Sequence, residues 1–258
     1  MKRVVWIIGL LVLAALFGTS SVALASGKAS GVYITPKFTY GYLSGYDVKV
    51  ERKEGYSSAW GSGEYSWDEK FSMKSGHSFG GAIAAGYDFH RSLGAPVRLE
   101  FEYALFSDMK KKHHDIDSYG DPVTSKLNIG IQTLFVNAYY DFRNSSAFTP
   151  YLGFGLGMAF VGAKGEFQDV DYPQYDYSLK KKSSANFAWN LNAGVAYAFT
   201  DSISLDFGYR FASIGKGKTK DTVIYEYESA YYSSFSREQW KTKDLYMHQL
   251  MLGLRFAF

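Results

Sequence analysis

The 258-residue chain contains no cysteine. No disulfide framework can staple it, as happens in many small exported domains, and no thiol is available to carry a lipid anchor. A strong charge of either sign is also missing, since 28 Lys and Arg against 25 Asp and Glu leave a formal +3. Bulk attraction to nucleic acid is thereby excluded, and no nucleic-acid partner is expected. Long apolar runs are scarce. The run at 4–17 follows Lys2 and Arg3 and leads to Ala23, Leu24 and Ala25. It is shorter than the roughly 20 residues a helical span requires. Its charged start, apolar centre and small-residue exit predict a signal peptide over 1–25 that is removed on export.

In place of those features there are 22 Tyr, 20 Phe and 26 Gly, spread through short alternating segments. The closing segment, LYMHQLMLGLRFAF, sets the pattern. Phe258, Phe256, Leu254, Leu252 and Leu250 fall on one face, and Arg255, Gly253, Met251 and Gln249 on the other. A period of two is that of a β-strand, whose successive side chains point to opposite faces. Arg255 excludes burial on both faces, and an exported chain of this composition reads as a transmembrane barrel.

The alternation repeats at 31–42, 78–89, 97–106, 129–142, 151–161, 186–199 and 203–214, which with 245–258 makes eight strands. The segment 97–106 is the clearest, with Val97, Leu99, Phe101, Tyr103 and Leu105 opposite Arg98, Glu100 and Glu102. Pro36 lies on the outward set of the first strand and lacks the N–H that a ladder needs, which predicts a bulge or a weak pairing there. Connections at 90–96, 143–150 and 200–202 are short. Those at 43–77, 107–128, 162–185 and 215–244 run to roughly twenty residues or more, the length asymmetry of outer-membrane barrels. The expected fold is all-β: an eight-stranded antiparallel up-and-down transmembrane barrel over 26–258, with four long extracellular loops and both termini periplasmic.

The chain resembles the opacity-protein and surface-antigen family of eight-stranded outer-membrane barrels, related in architecture to the OmpA-type membrane anchor. The resemblance is carried by VRLEFEYALFS, NAYYDFRNSSAFTPYLGFGLGMAF, NAGVAYAFTDSISLDFGYRF and the closing LGLRFAF. It covers the strands and none of the long connections. It implies a bacterial outer-membrane location, contact with membrane lipid and lipopolysaccharide, and an assembly signal in Phe258, Phe256 and Leu254 read by the barrel-assembly machinery. No peptidoglycan-binding domain is expected after Phe258.

By parity the lumen receives Lys37, Arg98, Arg210 and Arg255 together with Asp88, Glu100, Glu102, Asp141 and Asp206. An eight-stranded barrel is just wide enough for side chains to fill. These charges are expected to pair as a plug, with Asp88 near Arg98 and Asp206 near Arg255, and a narrow ion conduit is the alternative. His113, His114, Asp115 and Asp117 lack the spacing of a closed metal site and read as solvated loop. Lys110 and its neighbours, with Lys180 to Lys182, could meet lipopolysaccharide phosphates or acidic host glycans, or be neutralised by nearby acids. Ser213 and His248 share the outward face as in some lipid-modifying hydrolases. The acid on that face, Asp244, is four residues from His248, about 13 Å along a strand, so no triad is expected. The long connections carry Trp60, Trp67, Tyr231 and Trp240, which are expected either to anchor a host surface ligand or to pack an extension of the barrel. The functional expectation is a surface adhesin or antigen that is not an enzyme and needs no cofactor. The alternatives are a structural envelope protein, a small ion channel and, more remotely, a lipid-A-modifying enzyme.

Overall fold

The computed structural model describes residues 31–116 and 120–258. The leader expected at 1–25 lies outside the described residues. Thirteen strands follow one another: β1 (Val32–Leu43), β2 (Tyr46–Ser58), β3 (Gly61–Met73), β4 (Gly76–Asp88), β5 (Val97–Phe106), β6 (Met109–Ile116), β7 (Pro122–Asp141), β8 (Phe148–Asp169), β9 (Tyr177–Ala198), β10 (Ile203–Gly215), β11 (Thr222–Glu228), β12 (Tyr232–Thr242) and β13 (Leu245–Ala257). A single-turn helix, α1 (Phe89–Leu93), sits between β4 and β5, with Asp88 capping its N-terminus and Gly94 its C-terminus.

Eight of these strands close into an antiparallel ring in the order β1, β4, β5, β7, β8, β9, β10, β13 and back to β1. Closure removes the free edges that an open sheet would leave unpaired in lipid. The outward set of each strand is apolar and open, as with Phe79, Leu99, Val136, Leu156, Leu191, Phe207 and Leu252. At Pro36 the β1–β13 ladder skips Thr35 and Pro36 with no register shift, while pairing to β4 runs straight through. The missing N–H weakens one side of the strand without bending it.

The long connections do not form loose loops. A membrane-spanning strand needs about 9–11 residues, yet β8 and β9 each have 22 and β7 has 20. These three strands continue past the ring and, with β6 beside β7, form one half of a second tier. The other half is a separate four-stranded sheet in the order β11, β12, β2, β3. Inside the tier, Val48, Val50, Leu127, Ile129, Leu179 and Trp240 make an apolar core that descends through Ile131, Phe135 and Met247 towards the ring. Charges therefore fill the lower interior and hydrocarbon closes it above. Expected loops at 43–77, 107–128, 162–185 and 215–244 are thus corrected to mostly paired strands, because their inward residues have a second core to enter.

Candidate functional site

The lower lumen holds one connected polar network. Lys37 Nζ lies 2.5 Å from Glu100 Oε1 and 2.6 Å from Glu102 Oε2. Arg210 forks onto Glu102 at 2.5 and 3.0 Å, and its Nε donates to Asn192 Oδ1 at 2.7 Å. The chain of amides continues from Asn192 to Asn190 and from Asn190 to Asn137. Tyr139 and Tyr33 hydroxyls donate to the two oxygens of Glu100 at 3.3 and 3.4 Å. Glycines make room for these side chains: a Cβ on Gly155 would sit 2.0 Å from Asn137 Oδ1.

Towards the short-turn rim the pairing differs in one place from the residue count. Asp88 and Arg98 are register partners on β4 and β5, but Arg98 Nε donates to both oxygens of Asp141 on the other side, at 2.8 and 3.0 Å. Asp88 is taken by Arg143, from the turn after β7, at 2.6 Å. Arg143 is the lumen-network residue that parity missed, since a turn has no parity to read. Arg255 and Asp206 meet across β13 and β10 at 2.6 Å. The Arg98 guanidinium also lies over the Tyr139 and Tyr151 rings, 4.8 and 5.2 Å from their centroids. What remains open among Lys37, Arg98, Glu100 and Asp206 is a cavity of about 10 Å³, room for roughly one water molecule.

The aromatic side chains of the second tier divide into two sets. Trp240 is buried at 2 % exposure, and its Nε1 donates to Glu238 Oε1 at 2.5 Å. Trp240 is therefore corrected from candidate anchor to core residue: its inward parity on β12 points it between the two sheets. Glu238, itself buried, also accepts from Arg52 at 2.5 and 2.8 Å and from the Tyr177 hydroxyl at 2.8 Å. Burial first, and then the Glu238 carboxylate, raise the Tyr177 phenol well above its ordinary value. Trp60 and Tyr231, in contrast, stand open at 97 % and 82 % on the β2–β3 and β11–β12 turns, and Trp67 is open at 36 %. Near them a concavity of about 370 Å³ is floored by Gly55 and Ser57, with Ser62, Ser233, Glu64 and Phe235 around it. Two corners of the molecule thus offer solvent-facing aromatic side chains on a rigid, paired support.

The other constellations do not assemble. His248 Nδ1 is bonded to Tyr209 Oη at 2.7 Å, and Asp244 lies 3.8 Å from Lys216. Ser213 pairs in register with Tyr246 and Trp189. His113 stacks on Phe71, whereas His114 bonds Thr124 Oγ1 at 2.9 Å, so the two histidines leave β6 on opposite faces. Asp117 lies outside the described residues.

A family model for the outer membrane protein β-barrel domain matches residues 10–258. Outer membrane protein PagN of Salmonella typhimurium is 31% identical over 248 residues, which cover 92% of this chain and 93% of that protein. A candidate adhesin of Rickettsia conorii is 27% identical over 188 residues, covering 72% of this chain and 70% of its own length. Among solved structures, neisserial surface protein A aligns with a TM-score of 0.43 at 20% identity, over 89% of this chain and 99% of that one.

Proposed function

The chain belongs to the family of outer membrane protein β-barrel domains, and from that premise we propose that it is a surface-displayed adhesin with a plugged barrel as its membrane anchor. The bacterial outer membrane is its location. In the proposed orientation the short turns and both termini face the periplasm and the second tier projects outwards. Binding is assigned to the exposed aromatic crown, with Trp60, Trp67 and Tyr231 as anchors to a host surface ligand. Tyr and Trp offer large contact area with few rotors to freeze. The observation that carries the reading is the contrast between the barrel interior and the crown: buried ion pairs such as Lys37–Glu100 and Arg210–Glu102 fill the lumen around a cavity of about 10 Å³, whereas Trp60 is 97 % exposed on a well-paired hairpin. A filled lumen favours an anchor over an ion conduit, and the role is binding rather than catalysis.

The test is adhesion of whole bacteria carrying wild type or Trp60→Ala/Tyr231→Ala, with surface levels and heat-modifiable mobility measured alongside. Adhesion should fall in the double variant at unchanged surface levels. Wild-type adhesion by the double variant would exclude the crown and leave a structural envelope role as the better reading.

A further inference from the structure

The inner face of the four-stranded sheet builds the same side-chain arrangement twice, one row above the other. In the lower row, register sets Trp67, Arg52 and Glu238 side by side on β3, β2 and β12. The Arg52 guanidinium lies over the Trp67 ring, 5.8 Å from its centroid, and donates to Glu238 Oε2 at 2.5 and 2.8 Å. Ring, cation and carboxylate thus complete one another. Tyr177, the first residue of β9, closes this row from the opposite wall by donating to Glu238 Oε1 at 2.8 Å.

One pleat further from the barrel, about 7 Å along the strands, Tyr65, Glu54, Ser236 and Tyr225 lie side by side in register on β3, β2, β12 and β11. A carboxylate again neighbours an aromatic ring, since directly opposed side chains on one face have Cβ atoms about 5 Å apart. Half-buried Glu54 accepts from Ser236 Oγ at 3.3 Å, and among the described residues no lysine or arginine is ion-paired with it. The nearest cations along the chain leave from the other face: Lys53 reaches Glu64 at 3.9 Å, and Arg237 lies over the Phe235 ring. The next pleat adds Tyr56, whose ring stacks on Tyr65 with centroids 6.3 Å apart and 20° between the planes. Gly63 lets that ring lie against the sheet, because a Cβ there would sit 2.7 Å from it. A hydrogen bond to Tyr65, then the Tyr65 charge and, more weakly, the Tyr232 charge, raise the Tyr56 phenol above its ordinary value. Tyr56, Tyr65, Tyr225 and Tyr232 are all exposed. The upper row therefore presents a carboxylate bordered by open tyrosine rings.

We propose that the Glu54 row is a docking site for an arginine side chain of a partner polypeptide, held as Arg52 is held one row below. Charge complementarity selects a cation, because a carboxylate and aromatic faces both attract one. A guanidinium suits the pair better than an ammonium, being planar enough to stack on the ring while its fork meets the carboxylate. The partner is thus a basic segment of a host protein. This deepens the adhesin reading by naming the partner's chemistry, and rests on that reading for the outward position of the sheet.

The test uses the purified refolded barrel in a neutral detergent with three separate probes: a fluorescent peptide of Gly-Arg-Ser repeats, its counterpart with neutral citrulline in place of arginine, and phosphatidylcholine vesicles. The arginine peptide should bind about ten-fold more tightly than the citrulline one, the equivalent of about 1.4 kcal/mol, and Glu54→Gln should lose the same factor. Tyr65→Ala should also weaken binding, whereas Tyr65→Phe, which keeps the ring, should bind as wild type does. Glu64→Gln, on the outer face of the same hairpin, should leave binding unchanged and so separates a built site from bulk charge. Heat-modifiable mobility checks that each variant is folded, and the comparison of the two peptides on wild-type protein stands without any variant. Equal binding of the two peptides, undiminished binding by Glu54→Gln, or an equal loss in Glu64→Gln overturns the proposal. Capture of the vesicles through Glu54 would reassign the row to a choline headgroup and overturn it as well. On whole bacteria, undiminished adhesion by Glu54→Gln beside reduced adhesion by Trp60→Ala/Tyr231→Ala sinks this inference alone; undiminished adhesion by both sinks the adhesin reading itself.

Discussion

Glu102→Gln should be among the most damaging single changes in the barrel, and the structure says why. Glu102 is 1 % exposed and takes both nitrogens of the Arg210 fork as well as Lys37. Lys37 and Arg210 are balanced by Glu100 and Glu102, so the four form a neutral cluster. Substitution by the isosteric amide keeps the volume, removes one negative charge and leaves Arg210 with an NH₂ group turned towards its own donors. Lys37 can fall back on Glu100, but Arg210 keeps only a neutral carbonyl oxygen of the glutamine and Asn192 Oδ1. Breaking a buried pair by removing one partner costs about 3–5 kcal/mol. Unfolding of the refolded barrel in lipid vesicles by denaturant, followed by tryptophan fluorescence and gel mobility, should show a loss in that range. Arg255→Leu should cost less, since the Arg255–Asp206 pair is 11 % exposed on each side. Replacing both charges, as Glu102→Leu/Arg210→Met, should recover much of the loss, because an apolar pair strands no charge. A single variant within about 0.5 kcal/mol of wild type, or a double variant worse than the sum of the singles, would refute the plugged-lumen account.

Trp240→Ala should destabilise the second tier by about 3–5 kcal/mol through the cavity it opens, whereas Trp60→Ala should change stability by less than about 0.5 kcal/mol; limited proteolysis of the tier separates the two. Tyr177 has an ordinary unfolded value near 10 and a folded value raised by burial. Its contribution is intact below about pH 10 and is lost as pH climbs, because the unfolded chain ionises first. Tyr177→Phe should flatten that alkaline loss in a pH series of denaturation midpoints. Phe258 donates its N–H to Val32 O at 3.0 Å, beside the β1–β13 seam. With the assembly role implied by the family resemblance, Phe258→Ser should lower the level of heat-modifiable barrel in outer-membrane fractions.

The ring was legible because each spanning strand alternates apolar and polar or small residues with few exceptions, and lipid outside a filled lumen enforces that alternation. Val97 to Phe106 shows it in ten residues. The second tier was harder to see. In β3, GSGEYSWDEKFSM, charges fall on both faces and almost every position is open, so no period emerges. In β12 the inward set Ser236, Glu238, Trp240 and Thr242 is mostly polar, and only the Glu238 network shows that the set is buried. A readable hint lay in Val48 and Val50, alternating with Lys49 and Glu51 just past the first spanning strand. The Asp88–Arg143 pairing lay beyond sequence reasoning, because it depends on the path of a turn.

The unbroken passage of β8 and β9 from the barrel into the second tier has a mechanical consequence. A cell held in flow by a ligand at the β2–β3 tip pulls on a sheet whose strands lie roughly along the load. That load reaches the membrane through β2 into β1 and through β3 into β4, in each case across only two residues. Force along paired strands must shear many ladder hydrogen bonds together, while force applied across a hairpin opens them singly. The β2–β3 ladder, continuous from Tyr46↔Met73 to Ser58↔Gly61, is loaded in opposition only when its two strands are pulled apart. Traction on its shared tip draws both the same way, so the load falls on the junctions at 44–45 and 74–75. Those junctions, of which the first is braced by the bond from Ser44 N to Tyr246 O at 3.0 Å, are where a tethered molecule would yield first.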